Sequence, residues 1–308
     1  MADALAAPPA VYALALVPAL LWGFSPVLSK RGMAAGGSSL QASLVVVIVD
    51  STLYLLALAA LRGGDAFAGL TIETLAVFVA AGVVGTALGR LATFAGVDRV
   101  GASVNSAGVS ARPLFATLLA VGFLGEPATL TTAVGVAVLV VGLAALALAK
   151  GGDISGWAPY ELLFPLGAAG CFAIGNVLRR YGLTSSSVSS LEAVALNELA
   201  ALAVLAGYAV ARGRVSEVQN APRDTWKYFA GSGAVTAVAL LSLFAALGQP
   251  EGTVAIVDPL AATAPLFTTL FAYFLLGDLE RVTRGVVAGA ALIVLGVALV
   301  TAGPALLP

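Results

Sequence analysis

Three charged side chains lie near the middle of long apolar stretches of the sequence. Asp50 follows the run LVVVIV, Arg112 lies within a second apolar stretch, and Glu198 stands next to Asn197 in a third. A charge near the centre of a bilayer costs about 2.5 kcal/mol or more, so such residues normally face the interior of a helix bundle. An arginine there can hold an anionic group, and a carboxyl group can take up or release a proton. The three residues predict a central polar cavity.

A different arrangement of the same residues is a permanent Asp50–Arg112 or Glu198–Arg112 pair that only fastens helices. Two acids that face one arginine leave one acid without a full partner, which favours the cavity. Burial and a nearby guanidinium act in opposite directions on the proton affinity of a carboxyl, so that affinity changes as a cavity opens and closes. Glu198 is the expected proton carrier because Asn197 adds polar surface beside it, and Asp50 is the expected partner of Arg112.

Further polar residues inside the apolar stretches are weaker candidates. Asp258 directly precedes Pro259, so the helix there is expected either to begin with an irregular segment that exposes carbonyl groups or simply to kink. Asn105 and Asn176 either contact a solute or form one hydrogen bond between helices. Trp22 either lines the pathway or packs. Arg90 is expected about three quarters of the way through its helix, where its side chain either extends to the membrane surface or contacts a ligand.

The amino-acid composition indicates that this chain lies in a lipid bilayer. Of 308 residues, 60% are hydrophobic and 10% are charged, and the mean hydropathy is +1.03. A helix of about 20 apolar residues spans a bilayer. The sequence predicts an all-α integral membrane protein with ten transmembrane helices, at residues 11–29, 40–61, 72–96, 101–124, 129–149, 159–178, 189–211, 226–248, 253–276 and 282–303.

The second half of the sequence repeats the first. Pro113-Leu114-Phe115 recurs as Pro265-Leu266-Phe267, and Leu124-Gly125-Glu126 recurs as Leu276-Gly277-Asp278. Ser38-Ser39-Leu40-Gln41 likewise matches Ser189-Ser190-Leu191-Glu192. Residues 1–150 and 151–308 therefore each form a five-helix repeat. Because five is odd, the second repeat must enter the membrane from the opposite side, which gives an inverted repeat of the kind found in secondary transporters.

These motifs resemble the EamA-type members of the drug/metabolite transporter superfamily. The matching residues are Trp22-Gly23-Phe24 and Lys30 in the first helix, together with the two proline and glycine-acid motifs quoted above. The resemblance covers nearly the whole chain and implies ten helices in two halves. The second half has Phe172-Ala173 in place of the Trp-Gly motif. Any role of the tryptophan in this family can therefore be assigned only to Trp22.

The function expected on these grounds is secondary transport of a small organic solute across the cell membrane by alternating access, with proton coupling as one option. The partners expected are that solute and the bilayer, without nucleic acid, in a multi-pass monomer or homodimer. An intramembrane enzyme that acts on a lipid-linked substrate is the alternative. The chain has no histidine, one cysteine and no phosphate-binding loop, which argues against enzyme chemistry, a metal site and a nucleotide-driven pump, and no cofactor is expected.

The orientation of the chain is predicted from its basic residues. Lysine and arginine are concentrated in the odd-numbered connections between helices, whereas the even-numbered connections carry only Arg62, Arg179 and Arg180. Because the cytoplasmic side carries the excess of positive charge, this distribution predicts that both termini lie outside. The EamA resemblance implies the opposite orientation, with Lys30 belonging to the transport pathway.

Overall fold

The computed structural model describes residues 8–116, 119, 130–148, 157–220, 222–277, 279 and 283–306. This part of the chain is helical and contains no strand. In chain order the helices are α1 (Pro9–Ala34), α2 (Ser39–Leu61), α3 (Ile72–Val100), α4 (Ala102–Val109), α5 (Leu130–Leu148), α6 (Leu163–Ser185), α7 (Ser190–Ala211), α8 (Val215–Gln219), α9 (Arg223–Gly248), α10 (Val254–Ala261), α11 (Ala264–Leu275) and α12 (Arg284–Leu306).

Six helices of the described part are long and apolar enough to cross a membrane, namely α1, α2, α3, α6, α7 and α9. They coincide with the first, second, third, sixth, seventh and eighth predicted spans. Large apolar side chains remain exposed on the outside of the bundle, including Leu56, Val141, Leu270 and Phe274. An outer surface of this kind is stable in lipid rather than in water. The predicted turn at Gly125-Glu126 and the acid Asp278 lie outside the described residues.

The repeated serine motif is a helix start in both halves. Ser38 Oγ accepts a hydrogen bond from the Gln41 amide, and Gln41 Oε1 accepts one from the Ser38 amide at 2.7 Å. Ser189 and Glu192 form the same reciprocal pair at the start of α7. Such a capping box satisfies amide groups that have no partner within the helix. The motif therefore fixes where α2 and α7 begin.

The fourth and ninth spans are each interrupted at the same place in the repeat. α4 ends at Val109, and helix resumes at residues 112–116; α10 ends at Ala261, and α11 begins at Ala264. Each interruption comes shortly before Pro113 or Pro265, which lacks the amide hydrogen that would continue the helix. The expected irregular segment before Pro259 is wrong, because α10 is regular from Val254 to Ala261.

The helices of the two halves pack in exchanged pairs. α1 packs against α9, and α3 packs against α6, so the first and third helices of each half meet the third and first of the other. α2 packs on α7, and α5 packs on α12. We call the α1–α9 contact the hydroxyl interface, after Ser25, Ser29, Ser232 and Thr236, and the α3–α6 contact the charged interface, after Arg90 and Arg179.

Glycine allows the helices of the charged interface to approach closely. A Cβ atom added to Gly85 of α3 would lie 2.6 Å from the Cα atom of Gly175 of α6. Residues Ala81–Leu88, which include Gly85, form a π-helical segment of α3. π-Helical turns inside α-helices are frequent at functional sites. Here the segment carries Thr86 and is followed by Arg90, and both residues belong to the polar site described next.

Candidate functional site

A cavity of about 110 Å³ lies at the centre of the bundle. Its volume is sufficient for several water molecules or a small solute. The walls are mostly apolar and come from both halves of the chain. The polar side chains that line it are Ser25, Thr86, Arg90, Thr93, Asn105, Ser106, Ser110, Arg112, Arg179 and Thr236.

Arg90 binds both acids that the sequence placed at the midplane. Its Nη1 lies 2.7 Å from Asp50 Oδ2, and its Nη2 lies 3.0 Å from Glu198 Oε2. Arg90 is buried, so the prediction that its side chain reaches the membrane surface is wrong. The predicted Asp50–Arg112 and Glu198–Arg112 pairs are also wrong, because Arg90 of α3 lies between α2 and α7 and contacts both carboxylates.

Arg112 is instead paired with Asp258 of α10. Its Nε lies 3.2 Å from Asp258 Oδ1, and its Nη2 donates to the Asp258 carbonyl oxygen at 3.4 Å. The guanidinium carbon stands 5.8 Å from the centre of a Trp22 ring, close enough for a cation–π interaction. Arg112 directly follows the interruption of the fourth span, and Asp258 lies on the short helix before the interruption of the ninth.

Arg179 is a residue of the polar site that the sequence did not reveal. Its Nε donates to Asn197 Oδ1 at 3.1 Å, Nη1 to Asn176 Oδ1 at 2.7 Å, and Nη2 to Thr86 Oγ1 at 2.9 Å. The sixth span was expected to end at residue 178, which assigned Arg179 to a connection. α6 continues to Ser185, and Arg179 is fully buried within it. Asn176, three residues earlier on the same helix face, was the available signal.

Hydrogen bonds join these residues into one central network. Asn197 Nδ2 donates to Glu198 Oε1 at 2.8 Å, and Thr86 Oγ1 donates to the same oxygen at 3.0 Å. Asn176 Nδ2 donates to Asp258 Oδ1 at 2.6 Å. The central network therefore runs without a gap from one half to the other. Its charged members are three acids and three arginines, namely Asp50, Glu198, Asp258, Arg90, Arg112 and Arg179.

Asn105 and Trp22 also reach the cavity, as the sequence suggested. Asn105 lies on α4 and is 1% exposed, and neither its Oδ1 nor its Nδ2 has a hydrogen-bond partner among the described residues. The amide packs against Gly96 of α3, where any side chain would collide with Oδ1. Burying a carboxamide without hydrogen-bond partners costs about 1–3 kcal/mol of stability for each unsatisfied donor or acceptor. The expected single hydrogen bond of Asn105 to a neighbouring helix is absent from the described part of the chain.

Lys30 is also buried, and its Nζ donates to the Val97 carbonyl oxygen at 3.3 Å. Lys30 and Arg179 therefore do not belong in a count of charges at the membrane surface. The remaining basic residues keep the same excess in the odd-numbered connections, so the predicted orientation of the termini is unchanged and stays a prediction.

The sequence profile of the EamA-like transporter family matches residues 10–148 and 159–302. The chain belongs to the EamA-like transporter family. Its two matches correspond to the two halves that exchange helix contacts in the structure, and the central network of this EamA-like protein joins them. It is accordingly a multi-pass membrane protein of a family of small-solute transporters.

Among curated proteins, none matches the chain. Among solved structures, 22 chains match. One of them, named only "Crystal structure of protein", shares 18% sequence identity, covers 96% of this chain and 97% of its own length, and superposes with a TM-score of 0.62. At that identity the similarity concerns the fold alone.

Proposed function

We propose that this EamA-like protein is a secondary transporter that carries a small organic solute across the cell membrane by alternating access. The observation that carries the proposal is the position of the cavity, which lies where helices of both halves meet and is lined by side chains of both. A site at the junction of two halves can be exposed to each side in turn when one half rocks against the other.

The transporter has ten spans arranged as two inverted five-helix repeats. The exchanged packing of α1 on α9 and of α3 on α6 supports this arrangement, since two inverted repeats related by a pseudo-two-fold axis are expected to form equivalent contacts of this kind. The interruptions before Pro113 and Pro265 support it as well. Both leave short helix ends beside the cavity, with Arg112 following one and Asp258 preceding the other. Interrupted helices next to a midplane cavity are typical of transporter binding sites.

Proton coupling belongs to the same proposal, but the choice of carboxyl group changes. Glu198 was selected on the assumption that Arg112 is paired with one of two acids. In the structure Glu198 Oε1 accepts hydrogen bonds from Thr86 and Asn197, and Oε2 lies against Arg90. Asp50 Oδ1, Glu198 Oε2 and Asp258 Oδ2 all have no hydrogen-bond partner among the described residues, but Arg90 holds Asp50 and Glu198 at 2.7 and 3.0 Å. The contact of Asp258 with Arg112 is the longest of the three ion pairs, at 3.2 Å, and a proton on Asp258 Oδ2 displaces no donor.

Counterflow in proteoliposomes tests the transport mechanism. Purified protein is first screened by thermal shift against amino acids, hydroxy acids, nucleosides, sugars and cationic drugs, and the best stabiliser is then loaded inside the vesicles. A carrier that alternates between two sides accumulates external labelled solute transiently against the unlabelled internal pool. A channel gives simple equilibration, a scaffold gives no flux, and an enzyme gives a chemically altered solute. Any of those three results would contradict the proposal.

A further inference from the structure

The charged side chains around the cavity are arranged by sign. Arg90, Arg112 and Arg179 line the cavity, whereas Asp50, Glu198 and Asp258 are not among its lining residues. A solute in the cavity therefore meets guanidinium groups, with the carboxylates behind them. The planar guanidinium matches the geometry of a carboxylate and binds it with two parallel hydrogen bonds. The polar wall of the cavity is therefore complementary to an anion.

Arg112 is the arginine with the greatest remaining capacity to bind a solute. Arg90 is fixed by two carboxylates at 2.7 and 3.0 Å, and Arg179 donates three hydrogen bonds of 2.7–3.1 Å. The contacts of Arg112 are longer, at 3.2 and 3.4 Å, and both go to Asp258. Neither of these two contacts involves the Nη1 atom of Arg112. Exchanging Asp258 for a solute carboxylate disturbs the fewest interactions.

Asn105 adds a neutral recognition group to the same cavity. Its amide offers a donor at Nδ2 and an acceptor at Oδ1, and neither has a partner among the described residues. A solute hydroxyl group can satisfy both functions, because it donates one hydrogen bond and accepts others. A carboxylate with such a group close to it therefore fits the cavity better than a plain carboxylate.

The balance of charge requires a cation to enter together with the anion. The central network contains three acids and three arginines, so its formal charge is zero, and an added anion would leave one uncompensated negative charge in a buried site. A proton on Asp258 Oδ2 restores the balance. The same proton weakens the attraction between Asp258 and Arg112, which frees the guanidinium for the solute.

The surroundings of Asp258 are suited to this exchange. The charged groups that face it are Arg112 and Arg179, and Asn176 donates to its Oδ1. The helices packed on α10 are α1, α6, α9 and α12, and of their described titratable side chains only Arg179 of α6 acts on Asp258. Asn176 can hold Oδ1 in place while Oδ2 is protonated. The proton therefore competes with the attraction of two guanidinium groups, of which Arg112 is the one in direct contact with Asp258.

We propose that the cavity binds a small monocarboxylate bearing an adjacent hydroxyl group, held by Arg112 and Asn105, and that each anion moves with one proton carried by Asp258. This inference rests on the proposed transport function. One anion and one proton carry no net charge, so transport responds to a pH difference and not to membrane potential. At equilibrium a difference of one pH unit accumulates the anion about tenfold.

Labelled lactate, propionate and lactamide are the probes, because they share a small carbon skeleton and differ in the hydroxyl and the carboxylate. Uptake is measured in proteoliposomes with an imposed pH difference, and separately with a potassium diffusion potential set by valinomycin. We expect lactate uptake to depend on the pH difference and not on the membrane potential. Propionate uptake is expected to be lower than lactate uptake, and lactamide is not expected to be taken up. Uptake of lactamide equal to that of lactate, or a response to the potential, would overturn the proposal.

Variants assign the roles. Arg112→Gln is expected to weaken lactate binding about tenfold or more in a thermal-shift titration. Asp258→Asn, which resembles the protonated acid, is expected to bind lactate and to exchange it while losing the response to the pH difference. Asn105→Leu is expected to remove most of the preference for lactate over propionate. Size-exclusion profiles and thermal unfolding without solute establish that each variant is folded.

Glu198→Gln is the matched comparison for Asp258→Asn. Its rate is expected to fall, but its ratio of uptake with and without the pH difference stays that of the parent. If Glu198→Gln loses the response and Asp258→Asn keeps it, Asp258 is not the proton carrier. If counterflow succeeds with a neutral or cationic solute and fails with every carboxylate, the substrate class is wrong while the transport function stands. If no solute shows counterflow, the transport function itself fails.

Discussion

The hydroxyl interface and the charged interface occupy corresponding places in the two halves but differ in chemistry. In the first, Ser25 Oγ lies 2.7 Å from Ser232 Oγ and 3.0 Å from Thr236 Oγ1, so neutral groups satisfy one another. In the second, Gly85 meets Gly175 and the buried guanidinium of Arg179 lies beside them. The hydroxyl interface shows that the two halves can pack without charge. Charges are therefore not a general requirement for packing the two halves, which is consistent with the role of the charged residues in the proposed transport.

The largest effect is expected from removing Arg90, the residue that connects α3 of the charged interface to α2 and α7. Arg90→Met leaves Asp50 and Glu198 buried without their shared cation, and we expect a loss of about 3–5 kcal/mol in the free energy of unfolding. The loss is measured by unfolding in detergent, followed by tryptophan fluorescence. Adding Asp50→Asn and Glu198→Gln to the same variant should recover most of the stability. Equal stability of Arg90→Met and the parent would show that the ion pairs of Arg90 with Asp50 and Glu198 do not stabilise the fold.

A methyl group at the helix crossing tests how closely the charged interface must pack. In Gly85→Ala the new Cβ atom would lie 2.6 Å from Gly175 Cα, and backbone atoms on both sides must move apart. Overpacking of this kind costs about 1–3 kcal/mol. Gly167→Ala on α6 is the control, because nothing lies within 4 Å of an added Cβ there. The thermal midpoint of Gly85→Ala should fall and that of Gly167→Ala should not; equal midpoints would refute a close contact.

The smallest effect is expected in the hydroxyl interface. Ser25→Ala removes a hydroxyl with two partners and should lower stability by about 1 kcal/mol. Adding Ser232→Ala should cost less than the sum of the single changes, because the partner left unsatisfied by the first substitution is removed by the second. Thermal unfolding of the two single variants and the double variant measures this coupling. Strict additivity would mean that the two hydroxyl groups do not interact.

The sequence predicted helix positions well because apolar length and repeated motifs determine them. Ser38 and Ser189 are local signals, and the structure shows a helix start at each. Asp50 and Glu198 were placed in the interior because a charge between apolar residues has few other positions in a membrane protein. The membership of the chain in its family also followed from motifs that recur along the sequence.

The pairing of the charges could not be predicted in the same way. The third and sixth spans were ended too early, at residues 96 and 178, because a charge usually indicates the membrane surface. α3 continues to Val100 and α6 to Ser185, which moves Arg90 and Arg179 into the interior. A charge that is satisfied by another helix does not end its own helix. That partner depends on the packing of distant segments, which a single sequence does not reveal.

The two capping boxes show how a duplicated motif has diverged. In the first copy Gln41 closes the start of its own helix. In the second copy the corresponding residue is Glu192, which in addition accepts hydrogen bonds from the Phe67 amide at 2.8 Å and from Arg62 at 3.2 Å. One amide-to-acid difference thus turns a local helix start into a connection between the halves. At Glu192 the start of one helix therefore also anchors the segment that follows α2, so a local capping motif contributes to holding the two halves together.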